Sequence, residues 1–166
     1  MKEIYLLRHA SAVNELGVDD FERALAPTAI HECNKIVEHL IKMQIKPDLI
    51  ICSQAFRAIQ TKDNIFSKLS IVVDIYILPL LYNAEMQDII NIINSIDHDV
   101  NSILIIGHNP ALYETCQYFS LHSEPELIAK LSMKGMPPAT LAYISSKAVW
   151  SNINQHNSSL QELYIV

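Results

Sequence analysis

Cysteine is scarce in this chain. Only Cys33, Cys52 and Cys116 occur, all in apolar segments and none in a CxxC spacing, which predicts buried thiols in a reducing compartment and no disulfide. Basic residues are also few. Against 18 Asp and Glu stand 12 Lys and Arg, a formal net charge of -6, so general attraction to nucleic acid or an anionic membrane has no support. Any anion must be drawn by a local cluster. No apolar run approaches the roughly 18 residues of a membrane span, and the start, MKEIYLL, enters a strand at once, so a cytoplasmic protein is expected. Linkers, internal repeats and low-complexity segments are missing, which predicts one domain over residues 1–166, with half the residues hydrophobic and enough for a full core. The histidines show no HxxxH or HxH spacing, so no metal is expected.

What is present is a repeated strand, turn and helix. Residues 4–7 are an unbroken apolar run that reads as a strand buried on both faces, ending in Arg8, His9, Ala10 and Ser11. Residues 12–26 are mixed and polar, a long loop leaving directly from Arg8 and His9 and therefore a candidate wall of a site. Pro27 opens a helix with Ile30, Cys33, Ile36, Val37, Leu40 and Ile41 on its apolar face, and Pro47 stops it. A second strand over 49–52 leads through Ser53, a candidate N-cap, to a helix carrying Ala55, Phe56, Ile59, Ile65, Phe66 and Leu69.

Residues 71–78 read as a third strand, and Met86, Ile89, Ile90, Ile93 and Ile96 mark the helix after it. A fourth strand, 103–106, runs through Gly107-His108-Asn109-Pro110 into a helix with Leu112, Tyr113, Cys116 and Phe119. Pro125 starts a short helix, Gly135, Pro137 and Pro138 mark a turn, and 140–144 and 160–165 are closing strands with Trp150 as a packing residue between them. The alternation implies an α/β protein: a three-layer α/β/α sandwich around a mainly parallel sheet.

Three strand ends then carry the chemistry. Arg8 and His9 follow the first strand, Arg57 stands just past the second, and His108 follows the fourth, and in a parallel sheet these ends share one edge. Helical side chains lean toward the N-terminus, so Arg57 reaches back to its strand end. Asn109 as N-cap and Pro110 as first helical residue would place His108 beside a helix start, which favours anions. Two arginines supply donor forks matched to phosphate oxygens. One imidazole can attack phosphorus if it is neutral at that nitrogen and its other nitrogen donates to a backbone carbonyl; the second, protonated, would be a further cationic donor. His31, His39, His98, His122 and His156 fall on helices or loops and look incidental.

With Arg8-His9-Ala10 after the first strand, Arg57 in SQAFRAIQT and His108 in IIGHNP, the chain resembles the histidine phosphatase superfamily, and its length and R-H-A form are most similar to SixA-type phosphohistidine phosphatases. ERAL at 22–25, LYNA at 81–84 and Trp150 extend the resemblance over nearly the whole chain. It implies a phosphoglycerate mutase-like fold, no cofactor, His9 as nucleophile, and Arg8, Arg57, His108 and Asn109 around the phosphoryl group.

Departures narrow the substrate. Larger members carry an acid after the third strand; here the segment reads LPLLYNAE, and its one acid, Glu85, suits a helix start, while Asp19, Asp20 and Glu22 offer other candidates. Ala24 and Ala26 replace the proline and threonine of the family's R-P-L-T, and Ser11 stands where many relatives have lysine. Phosphohistidine needs little acid help, because an imidazole protonated at its far nitrogen leaves neutral. The expected partner is thus a phosphohistidine protein or a small phosphorylated substrate. The alternatives are a general phosphomonoesterase and a phosphate- or phosphoprotein-binding module.

Overall fold

The structure, a computed structural model, describes residues 1–14 and 16–166; residue 15, within the predicted loop 12–26, lies outside the described residues. Strands β1 (Lys2–Arg8), β2 (Leu49–Ser53), β3 (Asp74–Leu78), β4 (Ser102–Gly107), β5 (Leu141–Ser146) and β6 (Ser158–Tyr164) form one sheet in the order β3-β2-β4-β1-β5-β6. Four of them, β3, β2, β4 and β1, are mutually parallel; β5 runs antiparallel to β1, and β6 antiparallel to β5. Helices α1 (Ala29–Lys42), α2 (Phe56–Phe66), α3 (Met86–Asn94), α4 (Ala111–Tyr118) and α5 (Pro125–Lys134) cover it. The fold is α/β, as the alternating pattern implies.

The apolar runs of the central strands are explained by the two cores they feed. Successive side chains point to opposite faces, so Ile4 and Leu6 of β1 join α3, α4 and α5, whereas Tyr5 and Leu7 join α1 and α2. Ile4, Leu6 and Leu7 are fully buried. Trp150 closes the first core, donating its indole N–H to the Val100 carbonyl. Because β1, β4 and β2 pair in parallel, with Arg8 opposite Gly107, the three strand ends finish side by side. Burial of each large aliphatic residue contributes about 1.5–3 kcal/mol, which anchors the site's floor.

Several local expectations are corrected. Ser53 ends β2 and does not cap the following helix; its Oγ accepts from the Ala55 N–H, and α2 begins only at Phe56. The third strand starts at Asp74, and its side chains are largely exposed because it is the outer edge of the sheet. Ile30, Ile41 and Phe56, placed on apolar faces by their spacing, are exposed, since the buried face of α1 runs through Ala29, Cys33, Ile36, Val37 and Leu40 and that of α2 through Arg57, Ala58, Thr61 and Ile65. Asn109 does not cap α4. Pro110 holds that position, and the Asn109 amide donates instead to the Met136 carbonyl at 2.9 Å. Within the polar loop, Asp20–Glu22 forms a short 3-10 turn, and Ala12 bridges Leu25.

Candidate active site

Arg8, His9, Arg57, His108 and Asn109 line one cavity of about 280 Å³ at the ends of β1, β2 and β4, together with Ser11, Ala12, Arg23 and Pro138. The backbone of His9 is held on both sides: its N–H donates to the Gly107 carbonyl, and its carbonyl accepts from the Ala139 N–H, each at 3.1 Å. Ala10, fully buried, donates its N–H to Thr61 Oγ1, and Ser11 donates N–H and Oγ–H to the Glu32 carboxylate of α1 at 2.7 and 2.6 Å. A strand end clamped to two helices cannot wander.

The His9 ring is oriented by its neighbours. Nδ1 is 2.7 Å from the Ala10 carbonyl, an acceptor, so Nδ1 carries the proton and donates. Nε2 therefore carries the lone pair, and it accepts from the Arg57 Nε–H at 3.2 Å. Burial pushes the imidazole down to about 4; the Ala10 bond opposes this, and Arg57, Arg8 and Arg23 add to it. A neutral, fixed imidazole with its outer lone pair beside an arginine is the protonation state that nucleophilic attack needs.

His108 lies with its ring centroid 5.0 Å from that of His9. The expectation that it is protonated is not met: burial first, then His9 and Arg57, push it down to about 3. Its Nε2 is 2.8 Å from Ser53 Oγ. Because Ser53 Oγ already accepts from Ala55, its hydroxyl proton can go to Nε2, leaving Nδ1 as the N–H of His108. Among the described residues, that Nδ1 and the Arg8 Nε are buried without a hydrogen-bond partner. With Nδ1 protonated, His108 and Arg8 bring two unsatisfied donors to the cavity, beside the unsatisfied acceptor Asn109 Oδ1, and the two donors suit an anionic ligand with several oxygens. Arg8 Nη1 donates to the Met136 carbonyl at 2.8 Å, the acceptor it shares with Asn109.

Arg57 is held from outside by Asp20. Its Nη2 donates to Asp20 Oδ2 at 3.1 Å and its Nη1 to the Asp20 carbonyl. Asp20 Oδ2 also accepts from Tyr82 O–H at 2.9 Å, and Oδ1 from Arg23 Nη1 at 2.9 Å. The Arg23 hydrogen bond, with those from Tyr82 and Arg57, overcomes partial burial and holds this carboxyl at about 2, so it is an anion and not an acid. Tyr82 stands edge-on to both His108 and Phe21.

The other acids lie elsewhere in the architecture. Glu85 and Asp88 form the capping box of α3, and Asp19 caps the 3-10 turn through the Phe21 N–H. Sequence reasoning took Ser53 for a helix cap and left Tyr82, Arg23 and the Met136 carbonyl without roles at the site. ERAL and LYNA drew attention to the segments holding Arg23 and Tyr82, but nothing local marks a backbone carbonyl as an arginine anchor. Among the described residues, no three His, Cys, Asp or Glu side chains gather as metal ligands, and no helix is long and apolar enough to cross a membrane.

The fold is that of the phosphoglycerate mutase-like histidine phosphatases. Its solved neighbours include a protein described as a candidate SixA phosphohistidine phosphatase of Nakamurella multipartitia, with a TM-score of 0.84, 22% identity, and coverage of 99% of this chain and 95% of that one. A second, described as a candidate SixA from Agrobacterium tumefaciens, gives a TM-score of 0.82 at 25% identity, covering 99% of this chain and 98% of that one. In sequence, the chain is 24% identical over 160 residues to an uncharacterized protein of Mycobacterium tuberculosis, spanning 96% of this chain and 99% of that one. No protein-family model matches.

Proposed function

We propose that this protein is a phosphohistidine phosphatase that works through a covalent intermediate on His9 without a metal or cofactor. The observation that carries the reading is the His9 ring itself, with Nδ1–H on the Ala10 carbonyl and Nε2 turned to the cavity beside Arg57. Nε2 attacks phosphorus, the P–N bond of the substrate breaks, and water then hydrolyses the phosphorylated imidazole.

Arg8, Arg57 and His108 Nδ1–H bind the phosphoryl oxygens, and Asn109 stands at the edge of the same cavity. These donors act most strongly on charge that develops during transfer. A bound dianion would also oppose the burial and neighbouring cations that depress His108, favouring its protonated form. Two arginines make the cavity hostile to a metal cation.

Phosphohistidine is favoured over alkyl phosphates because two of the candidate acids are unsuited to protonating an alkoxide: Asp20 is held ionised, and Glu85 is committed to a helix start. The SixA neighbours support the same choice. The partner is a phosphorylated protein, with no role for nucleic acid or membrane, and the chain acts as a single domain. Three buried, unpaired thiols raised by desolvation suit a cytoplasmic, reducing location.

The test is mass spectrometry after brief mixing with phosphoramidate and an alkaline quench. A transient phosphoryl adduct on His9, with multiple turnovers of released phosphate, is expected. Turnover retained in full by His9→Ala would overturn the reading; phosphate binding without adduct or turnover would leave a binding module.

A further inference from the structure

Among the described residues, Asp20 is the one carboxylate bound to the nucleophile's arginine, and the two steps above give it no role. Its position relative to the reacting atoms is well defined. Arg57 bridges the two: its Nε donates to His9 Nε2 at 3.2 Å, and its Nη2 donates to Asp20 Oδ2 at 3.1 Å. The carboxylate therefore lies one guanidinium length from the nucleophilic nitrogen, and with its side chain half exposed it faces the solvent side of the site. A leaving group displaced in line from His9 departs away from the buried ring, toward that side.

The carboxylate has about four lone-pair positions. Oδ2 uses two, on Arg57 and Tyr82, whereas Oδ1 uses one, on Arg23. One acceptor position on Oδ1 remains. A carboxylate that cannot give a proton can still hold one that the substrate brings.

Resting on the phosphatase reading above, we propose that Asp20 is a specificity-determining residue: it accepts a hydrogen bond from the far ring N–H of a phosphorylated imidazolium and so selects an N–P substrate over a phosphate ester. In the transfer, the P–Nε2 bond to His9 forms as the substrate's P–N bond breaks. The electron pair of the broken bond stays on the leaving nitrogen. The proton on the far nitrogen stays where it is, held by Asp20, so a neutral imidazole departs and no acid is consumed. A phosphate ester carries no such N–H. Its leaving oxygen meets instead an anion that has no proton to give it, and that anion keeps the Arg57 Nη2 donor engaged.

The experiment compares kcat/KM for phosphoimidazole and for p-nitrophenyl phosphate in the parent protein and in Asp20→Asn. The substitution is isosteric at a half-exposed side chain, and circular dichroism checks the fold. Opposite effects are expected: a loss of about tenfold or more for phosphoimidazole, and a severalfold gain for p-nitrophenyl phosphate. The basic limb of kcat for phosphoimidazole should also move to lower pH in Asp20→Asn, because the bound imidazolium loses its anionic partner. Asp20→Glu should recover part of the phosphoimidazole rate. If Asp20→Asn moves both substrates in one direction by the same factor, Asp20 has no selective role, while the phosphatase reading stands. If the parent protein neither turns over phosphoimidazole nor forms phospho-His9, the phosphatase reading fails and the selectivity falls with it.

Discussion

At the floor of the site, His9 and Arg57 are 8% and 6% exposed, and the fixed partners of His9 include the backbone carbonyls of Gly107 and Ala10. At the rim, the Asp20 side chain is 53% exposed, and its partners are the side chains of Arg23, Arg57 and Tyr82. The floor keeps its imidazoles neutral by removing water; the rim keeps its carboxylate charged by surrounding it with donors. Arg57 belongs to both regions, its Nε turned to the floor and its outer nitrogens to the rim. Burial thus decides protonation in one region and hydrogen bonding decides it in the other, within a few ångströms.

The floor should dominate every measurement of chemistry. His9→Ala removes the nucleophilic nitrogen, and steady-state turnover of a phosphoramidate should fall by about 10⁴-fold or more. Arg57→Ala strips the transferring group of a buried cation and His9 of its partner, for an expected loss of about 10³-fold, read in single-turnover formation of phospho-His9.

The neutral imidazoles also make the floor sensitive to acid. Their folded values, about 4 for His9 and about 3 for His108, lie below the value of about 6.5 expected in the unfolded chain. Between those limits the unfolded chain binds protons that the folded one refuses. This contribution is complete above about pH 6.5, is lost as pH falls through about 4 for His9 and about 3 for His108, and amounts to about 3 kcal/mol for His9. Urea midpoints should therefore drop from pH 7 to pH 4.5, with a shallower drop in His108→Ala; equal slopes would show that burial does not govern these rings.

The rim should give the smallest effect. Arg23→Ala breaks a surface ion pair worth about 1 kcal/mol or less, so thermal stability should scarcely move. A large loss of stability there would erase the contrast between the regions.

Much of the floor was legible in the chain. An apolar run that stops at Arg-His reads as a buried strand ending in charge, and two more strand ends carry Arg57 and His108. The alternation of strands and helices makes those ends neighbours. The protonation state of His108 was not legible, because it follows from desolvation and from the nearness of His9 and Arg57 across three strands. Asn109-Pro110 reads locally as a cap and a helix start, yet the Met136 carbonyl, 27 residues away, takes the Asn109 amide. The rim was visible only as a list of acids. Asp19, Asp20 and Glu85 are equivalent in a polar sequence, and the structure separates them into a cap, an arginine-bound anion and a helix start.

By itself, then, the sequence determined the α/β architecture and the identity of the charged groups at the strand ends, because hydrophobic period and strand termination are local properties of the chain. The tertiary structure alone decided which nitrogen of His9 is free, why both imidazoles are neutral and which carboxylate meets Arg57. Those depend on water exclusion and on partners contributed by separate strands, helices and loops, and only the packed sheet brings them within hydrogen-bond reach.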